Sequence, residues 1–590
     1  MEMPKSFYKE QIKINQGALQ QNGRKLLMSS MARLLAFALI LLGLISTWGN
    51  VKIVVAISIL GVVTFLYLVT RHSRLKSEKQ FILALIAYNE TELSVLSGVF
   101  EHLPKGETYT NDTHQYSRDI DLLGRGSFFQ YVNRTALNTG RDYLAKQLKS
   151  NDITSIQEKQ KAIKELGDLP LWRQQYSAIA SLIQTEVSVM SVEKWLLDYK
   201  SFVPKNIKTI ASVFGLTSLV LILLYFLNVV SGYGVFGWFL LGLGITAVYL
   251  KKINTLSSHT AQIQMFFDQY HKLLLKIEEQ EFTSDILNEK RWAVVDGVHK
   301  SSALMKKFAK HLDALDQRSN ILVGIVANGF MLQDLRQAYN IEQWIKNHGE
   351  QVSNWFQTIA FFDGYNSLGN YAFNHPENIF PEIQDTNNVF TIQQGYHPLL
   401  DSETRVSNDF VMDKGKFFIV TGANMAGKST FLRTVAMHIV MANLGLPICA
   451  QSAKYSPIKL ITSMRTEDSL ANNESYFFRE LKRLKFIVEN LERDGYFVIL
   501  DEILKGTNST DKALGSRKFI DTLSRFNATG IIATHDLSLC AAADELDHIE
   551  NYYFDAAVIN DELHFDYELK QGVCQNMNAS FMLRKMKIVE

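Results

Sequence analysis

Four stretches without a charged side chain, arranged as two close pairs, constrain this chain more than any other feature. Leu34 to Trp48 and Ile53 to Thr70 flank the turn Gly49, Asn50, Val51, Lys52, and Thr209 to Val230 and Val235 to Leu250 flank Ser231, Gly232, Tyr233, Gly234. In hydrocarbon, backbone N–H and C=O groups must be satisfied within the segment, so such runs are read as helices. A full crossing takes ~20 apolar residues, and two of the four runs approach or reach that length. Tilt or a thin bilayer leaves both full crossing and re-entry open for the shorter ones.

Charge at the ends of the runs orients them. Arg24, Lys25 and Arg33 precede the first pair and Arg71, Arg74, Lys76 and Lys79 follow it, while Lys205, Lys208, Lys251 and Lys252 bracket the second. Only Lys52 lies in a turn. By the positive-inside rule both hairpins enter from the cytoplasm and return, which leaves the large soluble segments cytoplasmic in a multi-pass membrane protein with lipid as a partner. The competing reading is a pair of core hairpins in a soluble protein, which basic flanks around runs this long disfavour.

At 590 residues the chain exceeds one ordinary core, so several domains are expected. Lys and Arg number 61 against 60 Asp and Glu, so no global charge marks a nucleic-acid binder, although local basic surfaces stay compatible with one. Cys449, Cys540 and Cys574 are spaced unlike any metal site and read as packing residues in a reducing compartment. The first 33 residues are polar and mildly basic, unlike a secretory signal. The segments read as follows: 1–33 a cytoplasmic N-terminal segment, 34–70 the first transmembrane hairpin, and 71–208 a helical part. After these come 209–250 the second hairpin, 251–373 more helix, and 374–590 an α/β domain.

The α/β assignment rests on alternation after the Pro- and Asn-bearing linker at 374–388. Short apolar runs at Phe417 to Val420, Tyr496 to Leu500 and Gly530 to Thr534 alternate with helical patterns at Thr430 to Met441 and Gly515 to Arg525. That order marks a parallel-rich sheet flanked by helices. Directly after the first run stand Gly422, Ala423, Asn424, Met425, Ala426, Gly427, Lys428 and Ser429, then Thr430, fitting G-x-x-x-x-G-K-[ST]. Glycines in such a loop let backbone N–H groups close around phosphate oxygens, the lysine reaches the β/γ-phosphates, and the serine ligates Mg²⁺. The helix that follows points its positive end at the anion.

The second run ends in Asp501 and Glu502, placing Asp501 to hold Mg²⁺ through water and Glu502 to polarise an attacking water as general base. The third ends in Thr534, His535 and Asp536, where a histidine can sense the γ-phosphate or the water. Lys428, Glu502 and His535 are therefore the candidate catalytic groups, with ATP and Mg²⁺ as cofactors.

These segments resemble the ATPase domain of the MutS family of DNA mismatch repair proteins. TGANMAGKST at 421–430 differs from the usual form by Ala423 for proline and Ala426 for glycine, DEILKGTNSTD at 501–511 is similar to DEIGRGTSTxD, and Ala533, Thr534 and His535 match the ATH switch. Gly395, Tyr396, His397 and Pro398 resemble the family's G-R-H-P, and Asn408 and Asp409 its Asn-bearing segment that borders the adenine, which implies a nucleotide contact for Asn408. Asp468 to Glu480 resembles the segment whose serine completes the partner subunit's site, although Asn473 and Glu474 stand where glycine and arginine are usual. The resemblance thus implies a γ-phosphate contact in trans from Ser475, two composite sites and a homodimer.

The helical part is similar to the family's lever. Asp119 to Leu144 resembles its opening, and Lys159 to Leu166 the R-x-x-A-I-x-x-L helix after it, with lysine for arginine. The second hairpin then lies where the arm would end in a DNA clamp. No Phe-x-Glu wedge, the element that reads a mispair, occurs in residues 1–110. The fold expected is an ABC-like P-loop ATPase domain preceded by an all-α lever carrying four transmembrane helices in two hairpins. The function expected is a membrane-anchored, MutS-like, Mg²⁺-dependent ATP hydrolase, with DNA as a partner implied by the resemblance alone and no small-molecule substrate other than ATP indicated. Two alternatives stay open: an ABC-like transporter, which the absence of an L-S-G-G-Q signature disfavours, and a nucleotide-gated membrane scaffold without a DNA role.

Overall fold

The computed structural model describes residues 2–183, 187–296, 299–401, 403–465, 476–505, 507–559 and 562–575. Each apolar run lies on a helix: Glu2–Ser46 and Val51–Val95 form one antiparallel pair, Ile207–Phe226 and Gly232–Glu279 the other. All four contain a segment long and apolar enough to cross a membrane, and 6 to 17% of each such segment is buried against protein. Asn50 closes the first turn by accepting the Ile53 N–H, a cap that relieves one orphan donor.

The helices run far past the apolar runs. Val51–Val95 carries the amphipathic 81–95 segment on the same rod as Ile53 to Thr70, and Gly232–Glu279 joins the second hairpin to the helical core without a break. Long side chains without Pro or Gly interruptions between 251 and 279 permit this continuity. The second hairpin is therefore joined to the core by uninterrupted helix.

One buried polar network locks the first hairpin to the core. Glu92, fully buried, accepts from Arg134 Nε at 2.6 Å and from the side-chain amides of Asn370 and Asn374 at 2.9 Å each. Tyr8, from the N-terminal helix, donates to Asn374 at 2.7 Å. Both asparagines sit on Val352–Asn374, the central helix of the core, which buries 18 of its 23 residues. On the same helix Asp363 accepts the backbone N–H groups of Leu137 and Ala136. Gly140 lies against that carboxylate so closely that a Cβ there would overlap it.

The C-terminal part holds two sheets. Five parallel strands stand in the order Ile549–Ile559, Phe417–Gly422, Thr529–Ala533, Tyr496–Asp501, Lys459–Ser463, and Glu562–Gln571 joins the Ile549–Ile559 edge antiparallel. A second, four-stranded sheet contains Asn388–Gly395 and Asn408–Asp413 as neighbours. The buried helix Lys428–Leu444 packs on the parallel strands and meets the Ile156–Gly167 helix of the core on its other side. Gly445 ends it with φ 80°, and a Cβ there would press on Lys159.

The segment opening the helical core also seals the sheet edge. Asp119 accepts from Thr462 Oγ1 at 2.5 Å and from the Arg465 N–H at 3.1 Å, and Asn151 donates to the Leu460 carbonyl at 2.9 Å. Cys449, Cys540 and Cys574 are all buried and form no disulfide, which fits their reading as packing residues.

Candidate nucleotide site

Parallel strands deliver their C-terminal ends to one rim, and there the loops after Gly422, Asp501 and Ala533 converge. They line a cavity of about 730 Å³, a volume suited to a nucleotide. Asn424, Met425, Gly427, Lys428, Ser429, Thr430, Asp501, Glu502 and His535 all form its wall. Gly422, Ala423 and Ala426 shape the loop from behind, with Ala426 fully buried. Gly427 adopts φ 105° and Gly422 φ 144°, where a Cβ would strike the Phe554 carbonyl, so these two positions require glycine.

The two residues expected to hold Mg²⁺ meet directly. Ser429 Oγ donates to Asp501 Oδ2 at 2.7 Å, a pair of hard oxygens at the head of a helix. A hydroxyl and one carboxylate suit Mg²⁺, which is bound through few protein ligands together with phosphate oxygens and water. Lys428 donates to the carbonyls of Gly422 and Ala423 at 2.8 and 2.9 Å, which ties the loop to its own lysine. Burial pushes the Lys428 ammonium down, against the pull of Asp501 and Glu502.

His535 and Glu502 form the second contact. His535 Nε2 lies 2.9 Å from Glu502 Oε1 and 3.3 Å from Lys428 Nζ. One ring nitrogen cannot both donate and accept, so we assign its proton to the shorter contact with the carboxylate. That hydrogen bond, aided by Lys505, pulls the Glu502 carboxyl down to about 2. Glu502 is therefore ionised and oriented, but a carboxyl so acidic is a weak proton acceptor. The expected general base needs its hydrogen bond with His535 loosened.

Backbone strain collects at this rim. Met425, Glu502 and Leu504 take φ of 67, 48 and 60°, a region costly for residues with a Cβ. Glu480, buried, holds the loop after Glu502 by accepting the Leu504 N–H at 2.6 Å and the Lys505 N–H at 3.1 Å. Sequence reading reached Glu480 only as the end of the Asp468 to Glu480 segment. Its role depends on a loop 24 residues away.

At the other end of the cavity Asn408 is part of the wall and also holds the edge strand. Its amide donates to the Tyr567 carbonyl at 3.0 Å and accepts the Leu569 N–H at 2.7 Å, which clamps the edge strand. Beside it in the wall stand Tyr396, with Arg405 stacked 3.4 Å above its ring, Phe410 and Tyr567; of these sequence reading named only Tyr396. His397 and His438 complete this end, and burial holds both at about 4 and hence neutral. The candidate trans residue Ser475 lies outside the described residues.

Comparison with known proteins agrees with this geometry. The family profile described as MutS domain V matches residues 418–588. The human MutS protein homolog 4 is 30% identical over 210 residues, covering 34% of this chain and 22% of that protein. DNA mismatch repair protein MutS of Fusobacterium nucleatum is 30% identical over 237 residues, 39% of this chain and 26% of its own length. DNA mismatch repair protein MSH4 of Arabidopsis thaliana is 29% identical over 216 residues, 35% of this chain and 26% of its own. The alignments thus span about a quarter of the length of these relatives. Over residues 418–588 the chain thus matches domain V of the MutS family.

Proposed function

We propose that this protein is a membrane-anchored, MutS-like ATP hydrolase in which nucleotide binding at the 422–430 loop drives movement of the helical core and, through continuous helices, of two membrane hairpins. The observation that carries the reading is the Ser429–Asp501 contact at 2.7 Å beside the His535–Glu502 contact at 2.9 Å on one cavity wall. Lys428, Ser429, Thr430 and the loop's N–H groups would hold the phosphates, and Ser429 with Asp501 the metal. Bound Mg²⁺ supplies charge neutralisation at the phosphates. Glu502 orients the attacking water, and His535 holds Glu502 in place. The hairpins take cytoplasmic soluble parts to a bilayer, supported by four apolar helices and their basic flanks.

A homodimer with Ser475 reaching the partner's site is proposed from the resemblance of the 468–480 segment. DNA as a partner is proposed from relatives that carry the name DNA mismatch repair protein.

The test is Mg²⁺-dependent ATP hydrolysis by the full chain in liposomes. Wild type turns over ATP, Lys428→Ala loses nucleotide binding, and Ser429→Ala needs more Mg²⁺ for half-maximal rate. Nucleotide binding without turnover would favour the scaffold alternative, and ATP-dependent solute flux into the vesicles the transporter.

A further inference from the structure

A third apolar element sits beside the second hairpin, between two helices of the core. Helix Ile321–Met331 reads ILVGIVANGFM and has no charged residue. One of its faces is packed. Gly329 lies so close to Phe239 that a Cβ would overlap the ring, and Gly242 of the hairpin approaches the Gly329 carbonyl in the same way. Ser218 of the hairpin donates to the Phe330 carbonyl at 2.7 Å, and the Phe239 and Phe330 rings lie 5.2 Å apart. Small residues that let backbones touch are the contact mode of helices within lipid.

The other face is left uncovered by the described residues. Ile321 and Leu322 are 72 and 78% exposed, and Val323, Ile325 and Val326 are about half exposed. The helix base is polar but neutralised: Arg318 pairs with Asp334 at 3.0 Å, and Asn328 accepts the Asp334 N–H at 2.9 Å. The chain reverses at Leu332, φ 50°, straight into helix Gln333–His348 of the core. At 1.5 Å per residue the apolar helix is ~16 Å long, about half of a hydrocarbon layer of ~30 Å.

We infer that the Ile321–Met331 helix is a re-entrant membrane element, its Ile321, Leu322, Val323, Ile325 and Val326 face covered by lipid hydrocarbon beside the second hairpin. Continuity with the hairpin's exposed aliphatics, Leu216, Leu219 and Leu223 among them, selects lipid as the occupant. The inference rests on the reading that the 209–250 hairpin enters a bilayer. Its consequence is that the core touches lipid directly, through a loop of its own.

Introduced cysteines test it in the full chain, because the three native cysteines are buried. Leu322→Cys and Val326→Cys are labelled with an environment-sensitive fluorophore in liposomes of phosphatidylcholine and phosphatidylglycerol, with Leu219→Cys as the hairpin reference and Lys485→Cys as the water reference. Nitroxide-bearing lipid is expected to quench labels at 322 and 326 at least twofold, as at 219, and to leave 485 unchanged. Quenching at 219 without quenching at 322 and 326 overturns the inference and leaves the hairpin reading intact. A blue-shifted but unquenched label at 322 assigns the face to protein and also overturns it. Loss of quenching at 219 as well overturns both.

Discussion

At the residue scale, the nucleotide site depends on a few short contacts among groups that oppose one another. Glu502 is ionised because His535 donates to it, and replacing its charge removes both the water-orienting oxygen and the partner of His535. Glu502→Gln is expected to lower ATP turnover by about 10²–10⁴-fold while nucleotide still binds; single-turnover hydrolysis beside equilibrium nucleotide binding measures both. Asp363 makes a different kind of prediction. Its burial raises the carboxyl from 3.8 to about 7 even though two backbone N–H groups favour the charge. Between those values the folded chain holds the extra proton, so the stability linked to Asp363 is complete at low pH and is lost as pH rises toward 7. The melting-temperature advantage of wild type over Asp363→Asn is expected to shrink from pH 4 to pH 8. An advantage that stays constant or grows would contradict the assignment.

Elements show why these contacts form a connected machine. Strand order brings three loops to one rim, but Glu480, on the helix Tyr476–Leu491, sets the loop after Glu502. At the opposite end Glu92 fastens the Val51–Val95 helix to the core. Glu92→Ala leaves Arg134 buried without its carboxylate and is expected to cost about 3–5 kcal/mol; denaturant unfolding of the detergent-solubilised chain measures it. Glu92→Gln keeps the amide contacts and is expected to cost less.

For the whole molecule, four helices long and apolar enough to cross a membrane adjoin the helical core. Residues 2–95 are occupied by the first hairpin and its continuations, with no Phe-x-Glu sequence to wedge beside a mispair. If DNA binds, phosphate contacts dominate, so matched and mismatched duplexes are expected to bind within about threefold of each other and to weaken alike with salt. A mismatch preference above about tenfold in a salt titration would restore mispair reading as the task. Light scattering of Glu502→Gln with ATP is expected to report a dimer. A monomer under saturating ATP would remove the composite site.

What sequence alone determined here is local: the loop at 422–430, the strands that precede it and Asp501, and the helical form of the four charge-free runs all follow from short-range rules of backbone geometry and water exclusion. Their residues carry the signal within a window of a few turns. Tertiary structure decided what depends on distant partners. It tied the Asn408 amide to the strand at Tyr567 and Leu569, set Arg405 over the Tyr396 ring in the cavity wall, and drew Glu480 onto the loop after Glu502. It also set Ile321–Met331 against the hairpin, an element whose 11 residues are too few to announce a membrane segment by length. Packing makes that helix informative, since only the fold reveals which of its faces is left without protein.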